Sequence, residues 1–519
     1  MSLEFINSDD QLYRPVLAYD WLEYQSDVNP ENIAIVDLDS KKSFTYREFN
    51  DRATRLANYF RNDLQIKKSD RIAILAKNGN EYLEFYYACN KLGAISVLLN
   101  WRLTTSELEF IVNDSDPSLI VYDDEFSEQI DRLVDFCSIT EKLRINRGAS
   151  DNPFEDVLAK ASLAPLSDAD NPLRLIDVQT IMYTSGTTGK PKGAMITYNM
   201  TFFNAVNSGV PNGLSTESAN LVILPLFHTA GLNCYMNPAV HAGATNVIIR
   251  NFDPEDCLKK ITDPMLGISH FLAVPAVYLF MSQCSYFEQA SFEHVRHAAV
   301  GGAPIPLSTL MTWQEKGLPL KQGFGMTETA PSCLSLPSHK TIEKVGSVGL
   351  PLLHCEVRIV DEHGGDVAQG EIGELWVRGP NVCPGYWNRP DANRSSFTNN
   401  WFHTGDAARQ DSDGYFFIVD RRKDMYISGG ENVYPAEIES VIHELADVGE
   451  AAVIGVPDEK WGAVGKIFLV LKPGSTLSPG DVLRHCAGKL ATFKVPKSVE
   501  VIEVLPRNAS GKILKRELA

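Results

Sequence analysis

The chain has 519 residues, with 48 Lys and Arg against 66 Asp and Glu, and its formal net charge is −18. Hydrophobic residues make up 44% and charged residues 22%, proportions of an ordinary globular protein that exclude collagen, coiled coil and disorder. At roughly 100–200 residues per domain, this length predicts three or four structural units. An acidic surface repels a phosphate backbone, so we expect no nucleic-acid partner.

Cysteine usage and hydropathy indicate the compartment. The nine cysteines are scattered, and none lies in a Cys/His cluster with metal-ligand spacing, so neither a zinc site nor a disulfide framework is predicted. Residues 1–10 have no basic and apolar leader, and no apolar run reaches the roughly 18–20 residues of a membrane span. We therefore expect a cytoplasmic protein without a membrane span.

In chain order, the first clear elements alternate between strand and helix. Arg71–Leu75 is a short apolar run, Glu81–Leu92 has helical character, and Ala94–Leu98 is apolar again. This βαβ pattern predicts an α/β fold, with a large N-terminal domain of mixed or parallel sheets and helices. The same rhythm returns in three later runs, Leu221–Leu224, Thr245–Ile249 and Ala298–Val300.

The pattern changes at about residue 346. From there to about residue 420, short strands such as Val357–Val360 and Glu374–Val377 are joined by glycine turns, which predicts a small β-barrel-like subdomain. The remainder reads as a smaller α+β domain. Its predicted strands are Ala451–Val456, Lys466–Leu471 and Val499–Val504, and its predicted helix is Asp481–Leu490.

The segment Tyr183–Gly193, YTSGTTGKPKG, predicts a phosphate-binding loop between the apolar run Thr180–Met182 and a helix from Tyr198. Glycines let the backbone N–H groups turn towards an anion, while the hydroxyls and two lysines add donors and positive charge. The glycine spacing differs from a Walker loop, and a proline follows the first lysine. A mobile surface turn is the structural alternative.

This loop resembles the signature of the adenylate-forming enzymes, which include acyl-CoA synthetases, peptide-synthetase adenylation domains and firefly-type luciferases. Phe44–Tyr46 fits the opening of that family, and the resemblance extends over about residues 40–517. Within the family, the chain looks most like AMP-forming fatty-acid or cinnamate-type acid:CoA ligases. Six further stretches match in the family's order: Leu224–Gly231, Gly301–Pro304, Gln322–Thr329, Trp401–Asp406, Asp420–Pro435 and Pro506–Lys512.

The resemblance implies a ligase that converts a fatty or aromatic acid to an acyl adenylate with ATP and Mg²⁺, and then to a thioester with CoA. Adenylation supplies a good leaving group, and its transition state needs positive charge and donors around the α-phosphate. It also implies a monomer or homodimer. A carrier-protein thiol as acceptor, a luciferase-type oxygenase and an inactive nucleotide-binding regulator remain alternatives.

By the same resemblance, each motif carries site residues. Glu328 holds Mg²⁺, Thr327 contacts the α-phosphate, and Lys512 bridges carboxylate and phosphate oxygens. Asp406 binds the ribose hydroxyls with help from Arg421. The residues implied for the β- and γ-phosphates are Thr184, Ser185, Gly186, Thr187, Thr188 and Lys192, and those of the adenine-side and acidic motifs are Gly302, Ala303, Gly323 and Phe324.

The second half-reaction implies rotation of a C-terminal lid. The family rotates this domain about one hinge residue, here Lys423, which predicts a large domain over 1–422 and a mobile lid over 423–519. Rotation withdraws Lys512 and brings Gly429 and Gly430 to a tunnel for the thiol. A Lys512→Ala enzyme should therefore lose adenylation but still convert a supplied adenylate to thioester.

His228 follows an apolar run, and acyl- and aryl-CoA synthetases place a histidine there beside the acid pocket. Amino-acid-activating relatives carry an aspartate for the substrate ammonium, so an amino-acid substrate is disfavoured. The implied pocket also includes Phe271–Pro275, Ala298–Ala303 and the stretch after Gly325, which are mostly small and apolar and suit a fatty or aromatic acid.

Each of these residues also has a structural alternative. Glu328 could be a surface carboxylate, Asp406 a turn cap and His228 a satisfied core residue. Lys512 could be a solvated lysine, and Gly429-Gly430 an ordinary loop.

The acidic balance is uneven along the chain. Residues 424–519 contain 11 Lys and Arg against 13 Asp and Glu, so most of the negative charge belongs to the larger part. Lys489–Arg516 has seven Lys and Arg against two glutamates. We therefore expect polyanionic ATP and CoA to be met by a focused site rather than by the surface at large.

Overall fold

The computed structural model describes residues 16–139, 141–166, 171–184, 191–421, 424–428, 431–458, 461–507 and 513–518. Within those ranges, no helix is both long enough and apolar enough to cross a membrane.

In the described residues up to Gly209, the large domain contains eight strands and seven α-helices. The strands are β1 (Ile33–Asp37), β2 (Lys42–Thr45), β3 (Arg71–Leu75), β4 (Ile95–Leu98), β5 (Leu119–Asp123), β6 (Glu141–Ile145), β7 (Val178–Thr184) and β8 (Lys192–Thr197). The helices are α1 (Trp21–Val28), α2 (Tyr46–Asn62), α3 (Asn80–Leu92), α4 (Thr105–Ser115), α5 (Ser127–Val134), α6 (Pro153–Lys160) and α7 (Tyr198–Gly209).

The second half continues to residue 421. Its strands are β9 (Ala219–Val222), β10 (Thr245–Ile248), β11 (His270–Ala273), β12 (His297–Val300), β13 (Leu320–Gly325), β14 (Ser332–Ser335), β15 (Leu350–Pro351), β16 (Glu356–Val360), β17 (Gly373–Arg378), β18 (Phe397–Thr398), β19 (Trp401–Gln410) and β20 (Phe416–Arg421). Its helices are α8 (Thr229–Gly231), α9 (Asn237–Ala242), α10 (Pro254–Ile261), α11 (Pro275–Ser282), α12 (Leu307–Glu315) and α13 (Pro390–Ser396).

The C-terminal part is smaller. Its strands are β21 (Tyr426–Ser428), β22 (Glu431–Val433), β23 (Val448–Asp458), β24 (Gly462–Leu471) and β25 (Ser498–Val501), and its helices are α14 (Pro435–Ile442) and α15 (Pro479–Lys489). The helix α15 begins at a capping box in which the side chains of Ser478 and Asp481 satisfy the exposed backbone donors.

The described strands form four sheets. One has the order β6-β5-β3-β4-β7-β8, and another has the order β15-β14-β13-β12-β11-β9-β10-β1-β2. The inner strands of both are parallel, as the register of β3 with β4 and of β9 with β10 shows. Parallel strands buried on both faces read as continuous apolar runs, which is why the sequence identified them.

The main core lies around α2 and α3, where large aromatic side chains such as Phe49, Phe85 and Tyr82 are fully buried. A second core packs α10 to α12 against β9 to β13 and includes Trp313, with its indole N–H donating to the Tyr278 carbonyl at 3.1 Å. These cores fix the parallel strands, and hence the loops at the carboxyl ends of the strands.

The smaller units follow the predicted texture. The strands β16 to β20 form an antiparallel sheet, and β21 to β25 form the sheet of the C-terminal part, with α14 and α15 packed against its apolar cluster. Asp420 links the two parts, because its Oδ2 accepts a hydrogen bond from the Ala436 amide at the start of α14, at 2.9 Å.

The predicted strands and helices are present, with shifted ends. The predicted run 221–224 is the strand Ala219–Val222, and the predicted run 499–504 is the strand Ser498–Val501. The predicted helix 481–490 runs over Pro479–Lys489. Several elements were not predicted, and one of them affects the phosphate loop: β8 lies between that loop and the predicted helix at Tyr198, and it pairs antiparallel with β7.

Candidate active site

The parallel strands of the nine-stranded sheet bring three of the predicted motifs and one stretch of the predicted acid pocket to the same edge. His228 follows β9, Gly302 follows β12, and Glu328 follows β13, while Val274 follows β11 between them. Carboxyl ends of parallel strands meet at the same edge, where ligands bind in open α/β sheets. The fold therefore places the motifs together although they are about 100 residues apart in sequence.

Glu328 lies in a one-turn 3₁₀ helix, Thr327–Thr329, and is only 8% exposed. The Tyr386 hydroxyl donates to its Oε1 at 2.8 Å, and its own carbonyl accepts from the Cys383 amide at 2.8 Å. Glu328 is therefore a held, inward carboxylate, and the interpretation of it as a surface carboxylate is wrong.

The backbone around Glu328 is closely packed against its neighbours and has no room for an added side chain at Gly325. A Cβ at Gly325 would lie 1.6 Å from the Pro331 carbonyl oxygen, so only glycine fits there. The Thr329 hydroxyl accepts from the Met326 amide at 3.0 Å, and the Asn381 amide donates to the Thr329 carbonyl at 3.0 Å. These contacts fix the direction of the Glu328 side chain.

The Glu328 carboxylate fits a hard divalent cation. Within the described part of the chain, the hydrogen-bonding side-chain partner of this carboxylate is the Tyr386 hydroxyl at 2.8 Å. No group of three or more His, Cys, Asp or Glu among the described residues could hold a metal by itself. One carboxylate supplemented by substrate phosphates is the usual arrangement for Mg²⁺.

The phosphate loop is the connection of the β7–β8 hairpin. Thr184 and Lys192 are opposite each other at its end, and the Lys192 ammonium lies 5.2 Å from the centre of the Tyr386 ring. Tyr386 therefore contacts both Glu328 and Lys192, and so brings the predicted metal and phosphate motifs together. Sequence reasoning missed it, since no motif marks a tyrosine 58 residues from its carboxylate partner.

Asp406 and Arg421 are brought together by the β19–β20 pair, in which they are direct antiparallel neighbours. Asp406 is 2% exposed and lies inside β19, with its amide donating to the Thr404 hydroxyl at 3.0 Å. The alternative interpretation of Asp406 as a residue that only caps a turn is therefore wrong. The Asp406 charge also reaches Cys333 on β14, where it helps burial raise the pKa of that thiol.

The residues predicted for the adenine side lie on two adjoining backbone segments. A Cβ at Gly301 would be 3.2 Å from the Gly323 carbonyl oxygen, and Gly302 has a φ of +83°. Gly302 and Ala303 are exposed, whereas Phe324 packs against the core of the β16–β20 unit. Beside them, the buried Gln322, which begins the acidic motif Gln322–Thr329, has an amide nitrogen with no hydrogen-bond partner among the described residues.

His228 caps the short helix α8. Its Nδ1 accepts a hydrogen bond from the Ala230 amide at 3.2 Å. Burial, helped by the nearby Arg102 guanidinium, lowers the His228 pKa to about 4. The ring is therefore neutral near pH 7, and because Nδ1 accepts, the proton resides on Nε2 and can be donated to a ligand.

The remaining predicted site residues lie outside the described ranges. They are Ser185, Gly186, Thr187, Thr188, Lys423, Gly429, Gly430 and Lys512.

Comparison with known proteins gives the class. A family model for AMP-binding enzymes matches residues 22–387, and a model for the AMP-binding enzyme C-terminal domain matches residues 437–512. The chain is 39% identical to a feruloyl-CoA synthase of Amycolatopsis sp over 92% of this chain and 93% of that protein. It is 36% identical to a 2-succinylbenzoate–CoA ligase of Bacillus subtilis over 96% and 97%.

Solved structures of acyl-CoA synthetases are also similar to this chain. O-succinylbenzoate CoA synthetase of Bacillus subtilis, solved with its acyl-adenylate intermediate, superposes with a TM-score of 0.85 at 34% identity, covering 97% of this chain and 98% of that one. The same enzyme has been solved with ATP and magnesium ion, with a TM-score of 0.85 at 34% identity over 97% of this chain and 99% of that one.

The chain belongs to the AMP-binding enzyme family. It is an AMP-forming carboxylic acid:CoA ligase, which uses ATP with Mg²⁺ to make an acyl adenylate and CoA to make the thioester.

Proposed function

We propose that the acid activated by this ligase is aromatic, of the aryl-alkenoate or benzoate kind. Two relatives support this: one is named for ferulate and the other for 2-succinylbenzoate, and both acids carry a benzene ring. The neutral His228 and the side-chain-free Gly301-Gly302 backbone suit a flat, uncharged ring better than a cationic amino acid. A fatty acid is the second candidate.

A substrate panel tests this choice. We would compare kcat/KM for thioester formation with cinnamate-type acids, benzoates and straight-chain fatty acids of matched size. The proposal predicts the highest kcat/KM for an aromatic acid. A maximum on a straight-chain acid would contradict it, and would leave the acid:CoA ligase class untouched.

We infer that the buried Glu328 beside Tyr386 and Lys192 is the centre of the adenylation site, and this arrangement carries the mechanism. Thr184, the loop residues 185–188 and Lys192 bind the β- and γ-phosphates, and Thr327 contacts the α-phosphate. Mg²⁺ held by Glu328 would supply positive charge to the phosphate oxygens when bound. Asp406 accepts from the ribose hydroxyls, with Arg421 beside it.

The carboxylate of the acid then attacks the α-phosphorus of ATP. The His228 Nε2–H donor orients the acid, and Lys512 bridges its carboxylate and the phosphate as the new oxygen–phosphorus bond forms and pyrophosphate leaves. Sulfur of CoA next attacks the acyl carbon, and AMP leaves. Between the two steps the lid, residues 423–519, turns about Lys423 against the large domain, residues 1–422, and presents Gly429 and Gly430 to the thiol.

The separation of the two half-reactions can be measured. We expect Lys512→Ala to slow adenylation on the order of 10²–10³-fold, as for one lost preorganised charge, and to spare thioester formation from a supplied acyl adenylate. The control is Lys489→Ala, because Lys489 belongs to the same basic stretch but pairs with Glu444 on the surface. Equal losses in both half-reactions of Lys512→Ala would contradict the two-conformation proposal.

We also propose that the enzyme acts in the cytoplasm as a monomer or homodimer. The scattered cysteines without metal-ligand or disulfide spacing support the compartment, and the resemblance to the family supports the oligomeric state.

A further inference from the structure

Asn78 joins the two large sheets at the edge where the site lies. It follows β3 in the six-stranded sheet and is 6% exposed. Its amide nitrogen donates to two carbonyls of the nine-stranded sheet, Leu224 at 3.1 Å and Ile249 at 3.3 Å. Its amide oxygen accepts from the Leu226 N–H at 2.9 Å.

The loop that Asn78 binds leads directly to His228. The His228 amide donates back to the Pro225 carbonyl at 3.1 Å. A Cβ at Gly231 would lie 2.2 Å from that same carbonyl oxygen, so the helix α8 rests against the loop with no space between them. A loop packed this closely transmits a displacement of its base to the imidazole, because a close-packed interior does not absorb strain locally.

We propose that Asn78 is a positioning residue for the acid half of the reaction: by fixing the 224–226 backbone, it sets where the His228 Nε2–H points. This inference rests on the role of His228 proposed above. Asn78 does not contact the substrates in this account and acts through the loop alone.

The chemistry of the side chain explains why an amide is needed. The Leu224 and Ile249 carbonyl oxygens require a donor, and the Leu226 N–H requires an acceptor. All three groups are buried. Aspartate would turn an acceptor towards two acceptors, and alanine would leave three buried polar groups unsatisfied. Asparagine alone among residues of this size supplies both sets of partners.

A second set of contacts connects the two large sheets, and it does not involve the loop that leads to His228. Asp123 at the end of β5 pairs with Arg250 at 2.9 Å and with Arg147 at 2.9 Å, and it accepts from the Lys77 amide at 2.8 Å. This cluster keeps the two edges together when Asn78 is changed. Substitution of Asn78 should therefore displace the His228 loop rather than separate the sheets.

The test compares Asn78→Ala, Asn78→Asp and His228→Ala, the double variant N78A/H228A, and Asn58→Ala as matched control. Asn58 is likewise buried and its amide nitrogen also donates to two carbonyls, Thr54 at 3.1 Å and Ala164 at 2.9 Å, away from the site. For each full-length enzyme we would measure Tm, and KM for acid and for ATP together with kcat from pyrophosphate release.

We expect Asn78→Ala to raise KM for the acid at least about tenfold, with KM for ATP within about twofold, since a small misplacement of an orienting group is costly. Asn58→Ala should lower Tm to a similar degree without moving KM for the acid. In the H228A background, Asn78→Ala should have little further effect on KM for the acid, because coupled residues are not additive.

Two results would overturn the inference. One is an Asn78→Ala enzyme whose KM rises equally for acid and ATP, or for neither. The other is full additivity of N78A and H228A. Failure of the proposed function is separate from both, because it would show as a different preferred acid class for the wild-type enzyme, whatever Asn78 does.

Discussion

At the scale of single residues, the candidate site depends on side chains whose surroundings come from other parts of the fold. The Glu328 carboxylate accepts a hydrogen bond from the Tyr386 hydroxyl, and burial together with the Arg102 guanidinium lowers the His228 pKa to about 4. The carboxylate and the imidazole could be predicted from their motifs, but Tyr386 could not, because it lies in no pattern that indicates a contact.

The charge of Glu328 can be removed without changing its shape. We expect Glu328→Gln to slow pyrophosphate release on the order of 10²-fold and to raise the Mg²⁺ concentration needed for half-maximal rate, since an amide oxygen binds a cation weakly. The fold should persist because Tyr386 can donate to the amide oxygen as well. Tyr386→Phe is the control that keeps the carboxylate, and we expect a smaller effect. An unchanged Mg²⁺ dependence in Glu328→Gln would refute this role.

The lowered pKa of His228 predicts the pH dependence of acid binding. Because its folded-state pKa is about 4, the ring stays neutral from pH 5.5 to 8. We therefore expect the pH profile of kcat/KM for the acid to have no inflection near pH 6.5 that is due to His228. Wild type and His228→Asn should have the same profile shape in this region. Such an inflection would mean that the imidazole ionises normally in the free enzyme.

At the scale of elements, Gly325 at the end of β13 decides whether the Glu328 turn can form. We expect Gly325→Ala to destabilise the large domain by at least about 3 kcal/mol, the upper range for overpacking, because its Cβ would overlap the Pro331 carbonyl. Urea unfolding monitored by tryptophan fluorescence measures this.

The matched control lies in α15. A Cβ at Gly488 meets nothing within 4 Å, so Gly488→Ala should stabilise the helix by about 0.5–1 kcal/mol. If Gly325→Ala were as well tolerated as Gly488→Ala, the close packing described for the Glu328 turn would be wrong.

Elements were predictable where the pattern was strong. The strands β3, β12 and β17 read directly as apolar runs, whereas β8 follows a loop rich in Gly, Ser and Thr that obscured the hairpin. The order of strands was not predictable. The strand β1 pairs with β10, more than 200 residues later, and local sequence carries no signal for so distant a partner.

At the scale of the whole molecule, buried histidines with lowered pKa values link stability to pH, and His270 is one of them. His270 is fully buried, its Nε2 bonds to the Asn212 carbonyl at 2.8 Å and its Nδ1 to the Ser269 hydroxyl at 2.8 Å. Burial lowers the His270 pKa to about 4, against 6.5 for an unperturbed histidine. The unfolded chain therefore takes up a proton between these values that the folded protein refuses.

Stability should consequently be complete above pH 6.5 and fall as the pH drops towards 4. At about 1.4 kcal/mol per pKa unit, His270 accounts for a loss of about 2 kcal/mol in the free energy of unfolding between pH 7.5 and 5. In urea titrations, the free energy of unfolding of His270→Gln should fall by about 2 kcal/mol less than that of the wild type over the same pH interval. An identical pH dependence in both proteins would contradict the assignment.

The net charge of −18 argues against a broad nucleic-acid surface yet is compatible with two polyanionic substrates, because in the proposed site Lys192 and a Mg²⁺ ion held by Glu328 would bind the nucleotide phosphates in one small place. The measurement that tests this account most directly is incubation of the full chain with ATP, Mg²⁺ and a panel of acids, with and without CoA. We predict acid-dependent pyrophosphate release without CoA, and AMP together with thioester when CoA is present. Absence of pyrophosphate with every acid, or pyrophosphate without any CoA thioester, would contradict it.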